Sequence, residues 1–217
     1  MGYAERNNLT RLLRVRLEGL RVAVDVQHLY KTSNPLDRGA IFELPGGFHL
    51  AESQAVTVYA QALRAWLAAR GAKVLTNDPA AHVMVGSYYR RQKEAEKWGT
   101  NAYLACHLNA GKGSYAALEY AAGSAGIGLG TRIGSRLRDD FQEIISYRLV
   151  SLSPQARGYV CIGGFLPGLA AVLVEPFFGD NPRQQELLST PRLVAVGESI
   201  GEGVARWWES VRASRLI

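Results

Sequence analysis

Short apolar runs rich in β-branched residues alternate with longer amphipathic segments along this chain. Four runs have the length and composition of buried strands: RVAVDV at 21–26, KVLT at 73–76, AYLACH at 102–107 and LAAVLVEP at 169–176. The segments between them place apolar side chains at spacings of three and four, which is typical of helices that pack on one face. The alternation predicts an α/β fold with a mixed, largely parallel central sheet and helices on both faces.

The composition is compatible with one substantial core. The chain has 217 residues, 47% of them hydrophobic, and we find neither an internal repeat nor a linker. Its formal net charge of +6 favours polyanionic partners such as nucleic acid, anionic lipid or an acidic cell-wall polymer. Because no nucleic-acid-binding motif is present, we expect no nucleic-acid partner.

The N-terminal residues have a pattern of their own. Five leucines follow helical spacing between residues 5 and 20, and four arginines fall largely on the other side. We therefore predict a basic amphipathic arm or helix at 1–20, followed by the main domain at 21–217. The arm would either cap the sheet or contact an anionic lipid or cell surface. Arginines interrupt every apolar stretch, so the sequence predicts no Sec signal.

The cysteine content limits the chemistry that a site in this chain can use. Cys106 and Cys161 are the only cysteines, too few for a disulfide framework and without the spacing of a thiolate zinc site. A metal would therefore depend on histidine and carboxylate ligands. Cys106 precedes His107 in a predicted strand, so its side chain points to the opposite sheet face, and we interpret it as inert core.

Polar residues mark the ends of three predicted strands and the start of a predicted helix. His28, His107 and Glu175 follow or end strands, and Glu52 opens the helix. In open α/β sheets, ligands bind beyond the carboxyl ends of the strands. Two imidazoles and one carboxylate form a zinc ligand set with a fourth position open, and a further carboxylate can move a proton. The pattern therefore predicts metal-assisted hydrolysis.

Other residues offer alternatives to this set. His49 lies three residues before Glu52 and would share a helical face with it if the helix began early, but the proline and glycines at 45–47 indicate a loop. We expect His82 to lie in a solvated loop. The glycine-rich run GSAGIGLG at 123–130 lacks the Lys-Ser/Thr pair of a phosphate-binding loop, so we expect a mobile loop there.

Four sequence blocks, in order, resemble a known family. They are VAVDVQHLY, ESQAVTVYAQALRAWLAARGAKVLTND, ACHLNAG and VLVEPFFGDNP. Together they are similar to the zinc-dependent N-acetylmuramoyl-L-alanine amidases of the type-three class, and the resemblance covers most of residues 21–208. It implies a domain of the amidase, phosphorylase/hydrolase-like fold type.

The resemblance also implies roles for particular residues. His28, Glu52 and His107 would hold Zn²⁺, Glu175 would be the catalytic carboxylate, and Asn109 would help to position the substrate. The substrate would be peptidoglycan, cut at the amide between the lactyl group of N-acetylmuramic acid and L-alanine. If Glu175 proves not to be the base, Asp25 and Asp180, each near a predicted strand end, are the alternatives.

The chain departs from the family pattern at several positions. The family has glycines around the first histidine, where this chain has Gln27, Leu29 and Tyr30. In the later blocks the family has Arg, Ser and Gly where this chain has Asn77, Ala105 and Phe177 respectively. These changes bear on the binding of substrate more than on the metal ligands.

The sequence leads to an expectation about where the protein acts. With no predicted Sec signal and no separate wall-binding domain, we expect a phage endolysin that is made in the cytoplasm and reaches the cell wall after release. A truncated or processed bacterial enzyme would have the same features. A further alternative is a non-catalytic wall-binding or regulatory module that has the same fold.

Overall fold

Six strands form the central sheet in the computed structural model, which describes residues 15–29, 38–44, 46–77, 84–165 and 168–214. In chain order they are β1 (Arg21–Val26), β4 (Lys73–Thr76), β5 (Ala102–Cys106), β6 (Tyr115–Ala121), β7 (Ser146–Leu152) and β8 (Ala170–Glu175). Their spatial order is β4-β1-β5-β8-β6-β7. Only the β6–β8 pair is antiparallel, which confirms the predicted mixed, largely parallel sheet.

Helices cover both faces of the sheet. They are α1 (Glu52–Ala68), α2 (Tyr88–Trp98), α3 (Gly126–Asp140) and α4 (Thr190–Ser214). Helices α1, α3 and α4 pack on one face, whereas α2 and the 3-10 turn Arg157–Cys161 pack on the other. Because successive side chains of a strand point to opposite faces, β1 needs apolar residues on both sides. Val22, Val24 and Val26 accordingly face the first layer, and Ala23 faces the second.

Two segments differ from the structure that their composition predicts. Residues around 41–51 form a hairpin of β2 (Ile41–Leu44) and β3 (Phe48–Ala51), because Gly46 and Gly47 adopt positive φ in the turn. The segment before residue 167 has no clear apolar period in the sequence, yet it contains β7 (Ser146–Leu152), an edge strand whose partial burial leaves a weak apolar alternation.

The prediction of a mobile loop at GSAGIGLG is wrong. Its last five residues are the first turns of α3, which runs through Gly126, Gly130 and Gly134. These glycines let the helix approach the sheet closely. A Cβ at Gly126 would lie 2.3 Å from the carbonyl oxygen of Ala171, and one at Gly134 would lie 2.5 Å from the Tyr147 ring. Glycine here serves helix packing, not a turn.

The predicted N-terminal arm lies partly outside the described residues, since 1–14 are not among them. Residues 15–20 are not helical; they pass through a turn before β1. Leu17 and Leu20 are fully buried, and the Leu17 amide donates to the Arg70 carbonyl at 2.7 Å. This part of the chain is therefore packed into the main domain. Among the described helices, none has the length and apolar character needed to cross a membrane.

A buried ionic network joins β1 to α2 on the second face. The Asp25 carboxylate accepts from Arg91 Nε at 2.8 Å, from Gln27 Nε2 at 2.7 Å and from the Tyr103 hydroxyl. All four side chains are buried. Burial lowers the pKa of the Arg91 guanidinium, but the charge and hydrogen bond of Asp25, together with Tyr103 and Tyr88, raise it overall. Asp25 is thus a structural ion-pair partner.

We predict that Arg91→Met will lower the free energy of unfolding by about 3–5 kcal/mol, because it leaves the Asp25 carboxylate buried without its counter-charge. Urea denaturation followed by circular dichroism measures the change. Arg90→Met is the matched control. Arg90 is the neighbouring arginine of α2, is largely exposed and pairs with Glu94 at 3.5 Å, so its loss should cost less than about 1 kcal/mol. Equal costs for the two variants would contradict a structural role for the network.

Candidate metal and catalytic site

The predicted polar residues meet at one edge of the sheet. β1, β5 and β8 are mutually parallel, so their carboxyl ends lie together. His28 and His107 follow β1 and β5, and Glu175 is the last residue of β8. The His107 amide donates to the Val174 carbonyl at 3.0 Å, which places the second histidine directly beside the end of β8.

Two histidines and one glutamate form a tight cluster at this edge. Glu52 Oε1 lies 3.1 Å from His107 Nδ1 and 3.5 Å from His28 Nε2. One ligand atom from each of the three residues lies within 4.8 Å of the other two, and the cluster could hold a metal ion. The imidazole rings stand edge to face with centroids 5.2 Å apart.

The spacing of the cluster is suitable for zinc. Zinc bonds to histidine nitrogen and carboxylate oxygen are about 2.0–2.2 Å, so the ligand atoms of a tetrahedral site lie roughly 3.3–3.5 Å apart. The two measured separations fall at or just below that range. Two imidazoles and one carboxylate also leave a fourth position open, as hydrolytic zinc sites do. The residues present therefore fit the metal that the sequence predicted.

Glu52 is held in place from several sides. Its Oε1 accepts the Leu108 amide at 3.0 Å, and its Oε2 accepts the Ala40 amide at 3.0 Å. Burial raises the pKa of the carboxyl, but the hydrogen bond and charge of His107 outweigh this and lower it. Gly39, with φ of +75°, passes so close that a Cβ there would lie 2.4 Å from Glu52 Oε2. Glu52 is therefore an ionised, fixed oxygen donor.

His28 projects from a strained turn at the end of β1. Its φ is 63°, the left-handed region that side chains other than glycine seldom adopt. Asn77 fixes the strand just before this turn: its side chain accepts from the Val26 amide and donates to the Val26 carbonyl, both at 2.7 Å. Gln27 is buried and its side chain donates to Asp25. These contacts direct the chain into the turn without glycine.

Two contacts of His107 were not anticipated from the sequence. The Tyr59 hydroxyl, two helical turns after Glu52 in α1, donates to the His107 carbonyl at 2.7 Å. The Cys161 sulfur lies 3.7 Å from His107 Nε2, on the side of the ring away from Glu52. A partner at Nε2 leaves Nδ1 to face the cluster. Tyr59 lies on the apolar face of its helix, so nothing in the sequence pattern indicated that its hydroxyl would form this hydrogen bond.

Glu175 lies beside the cluster with a different environment. Asn109 Nδ2 donates to Glu175 Oε2. Burial, together with the nearby carboxylates of Glu119 and Glu52, raises the pKa of Glu175 to about 8, against an opposing effect from Arg157. A carboxyl with such a pKa can both accept and release a proton near neutral pH. Asn109 thus contacts the proposed catalytic carboxylate.

The alternative site residues lie elsewhere. His49 is exposed in β3 and is not part of the cluster, so the hairpin separates it from Glu52. Asp180 accepts the Gly111 and Lys112 amides at 2.8 and 3.0 Å and braces a loop. His82 lies outside the described residues. Cys106 is fully buried in the core, as predicted, and burial raises the pKa of its thiol well above the usual range.

Comparisons with known proteins agree with this geometry. A family model described as N-acetylmuramoyl-L-alanine amidase matches residues 22–206, which include every element of the site. No curated protein sequence matches the chain significantly.

Solved structures have the same fold. AmiC2, an N-acetylmuramoyl-L-alanine amidase of Nostoc punctiforme, superposes with a TM-score of 0.69 at 20% identity, over 89% of this chain and 99% of that one. Cwp6 from Clostridium difficile gives 0.70 at 21% identity, over 87% of this chain but 29% of that longer chain. The catalytic domain of the CD27L endolysin, which targets Clostridia difficile, gives 0.51 at 20% identity, over 86% and 97%.

The sheet order and the cluster at the carboxyl ends of the strands agree with the family match over residues 22–206. This chain belongs to the N-acetylmuramoyl-L-alanine amidase family.

Proposed function

We propose that the protein hydrolyses the amide between N-acetylmuramic acid and L-alanine in peptidoglycan, using zinc held by His28, Glu52 and His107. The observation that carries the proposal is the cluster itself, with its two contacts of 3.1 and 3.5 Å around one carboxylate oxygen. The family supplies the substrate, and the donor set fits the metal.

When bound, zinc supplies a positive charge that polarises the amide carbonyl and makes a nearby water molecule a better nucleophile. Glu175 takes the proton of that water and then passes it to the leaving nitrogen of L-alanine. Its raised pKa suits both transfers, since a weaker carboxylic acid holds a proton more readily. Asn109 donates to Glu175 Oε2 and so fixes the carboxylate at the end of β8.

We also propose that the protein acts on the cell wall as a phage endolysin does. The likeness to the fold of the CD27L catalytic domain supports this, and a net charge of +6 favours anionic wall polymers. The contact of the basic N-terminus with an anionic surface stays a prediction, since residues 1–14 are outside the described part of the chain. Release of soluble stem peptide from intact bacteria, measured instead of release from purified peptidoglycan, tests the lytic role.

A non-catalytic wall-binding module with this fold is the second candidate. A binding module has no need of a proton acceptor, yet Glu175 remains beside the cluster with a pKa raised to about 8. Release of soluble stem peptide from purified peptidoglycan separates the two candidates. We expect release that stops after metal chelation and returns with added zinc.

We predict that two glutamine substitutions will separate metal binding from turnover. Glu52→Gln exchanges a charged oxygen donor for a weak neutral one and should lose most of the zinc together with activity. Glu175→Gln keeps the shape of the side chain but cannot accept a proton, so zinc should stay bound while turnover falls by about 10² to 10⁴. Zinc content by mass spectrometry and the rate of peptide release give the two readings.

The exposed histidine provides the control for this pair. His49→Ala should leave zinc content and rate near normal, because His49 lies in β3, outside the cluster. Loss of zinc from Glu175→Gln would make Glu175 a ligand and contradict the division of roles. Near-normal turnover in Glu175→Gln would require another base.

We predict that Gly39→Ala will weaken zinc binding by at least about 10-fold, because the added methyl group would displace Glu52 Oε2. Gly47→Ala is the matched control: Gly47 also has a positive φ, of 77°, but a Cβ there meets nothing within 4 Å. Both substitutions carry the same kind of backbone strain, so competition titration with a zinc chelator isolates the effect on Glu52. Equal losses of zinc affinity in the two variants would contradict a role for Gly39 in the placement of Glu52.

A further inference from the structure

A row of directly paired residues runs from Glu175 across the two neighbouring strands. Ala117 of β6 pairs with Glu175 of β8 on one side and with Arg148 of β7 on the other. Directly paired residues of neighbouring strands project from the same face. Adjacent strands are about 4.8 Å apart, so the backbone of Arg148 lies roughly 10 Å from that of Glu175. The side chain between them is the buried methyl group of Ala117, so no charged side chain of β6 stands between Glu175 and Arg148 in this row.

Arg148 is held in a defined orientation. Its guanidinium carbon lies 3.8 Å from the centroid of the Tyr115 ring, a close stacking contact. Tyr115 in turn packs edge to face on Phe178, with centroids 4.9 Å apart. Phe178 forms a bridge with Asn109, the residue that contacts Glu175. The Arg148 guanidinium is therefore connected, through the rings of Tyr115 and Phe178, to the end of the sheet where the cluster lies.

The charge of Arg148 is not neutralised within the described part of the chain. Its side chain is exposed and stacks on Tyr115, and no acidic side chain of the described residues forms an ion pair with it. Other surface arginines, such as Arg136 and Arg206, pair with Glu202. A guanidinium stacked on an aromatic ring keeps its planar donors free for a carboxylate and loses little entropy on binding one.

We propose that Arg148 binds a carboxylate of the stem peptide, and so selects substrates that carry a free acid near the cut. This inference rests on the proposed function and adds a determinant of specificity to it. A peptide residue spans about 3.3–3.6 Å when extended. The carboxylate therefore belongs to a residue within about three positions of the scissile amide.

The test uses a product tripeptide that begins with L-alanine, in one form with its carboxylates free and in another with the same groups as carboxamides. Isothermal titration calorimetry measures the Kd of each for the full chain. The wild type should bind the free acid more tightly than the amide. Arg148→Gln should raise the Kd of the free acid by about 10-fold or more, the usual size of a lost charged hydrogen bond, and leave that of the amide unchanged.

Arg138→Gln is the matched control. Arg138 also stands over a tyrosine of β7, with its guanidinium carbon 5.8 Å from the Tyr147 ring centroid, but on the opposite face of the sheet. It should leave both values unchanged. Thermal melting of each variant verifies folding, and Arg148→Lys, which keeps the charge without the planar stack, should give an intermediate Kd for the free acid.

The outcomes separate this inference from the proposed function. An equal rise in Kd for both peptides, or no rise for either, would overturn the assignment of Arg148. Discrimination between the two peptides by a wild-type protein that releases no stem peptide from peptidoglycan would uphold Arg148 as a carboxylate site and overturn the hydrolytic function.

Discussion

The Glu52 carboxylate is the contact on which the rest of the site depends. One oxygen faces both histidines and the Leu108 amide, and the other accepts the Ala40 amide. A single side chain thus joins the start of α1, the end of β5 and the segment before β2. A buried carboxylate is costly unless it is paired and hydrogen-bonded, so these elements hold their positions together. The proposed zinc ion between the histidines would complete the compensation of its charge.

Two carboxylates on the same face of the sheet have different surroundings, one suited to a structural role and one to the proposed chemical role. Asp25 and Glu175 lie near the ends of strands in the same parallel set, yet Asp25 is neutralised by a buried arginine, whereas Glu175 has other carboxylates nearby. The first environment stabilises a permanent charge and ties β1 to α2. The second makes ionisation less favourable and leaves a group that exchanges protons near neutral pH. Surroundings, more than residue type, decide which acid is available for chemistry.

The site residues at strand ends were the easiest to predict from the sequence. Apolar runs buried on both faces are distinctive, and in a parallel sheet their carboxyl ends share one edge, so His28, His107 and Glu175 could be placed together before any coordinates. The helix of Glu52 was equally clear from its period. The hairpin at 41–51 was not, since β2 and β3 have four residues each, and neither has a clear alternation. The glycines of α3 were misinterpreted because close helix packing and turns use the same residue.

Tertiary contacts account for what sequence could not supply. Asn77 and Val26 are 51 residues apart, and Cys161 and His107 are 54 apart, so no local pattern links them. The most direct test of the account is a crystal structure of the zinc-loaded protein, with anomalous data collected on both sides of the zinc absorption edge. The account predicts one strong peak among His28, Glu52 and His107 at bonding distance of about 2.0–2.2 Å, with Glu175 nearby but not bonded to the metal. A peak at another place, or direct coordination by Glu175, would contradict it.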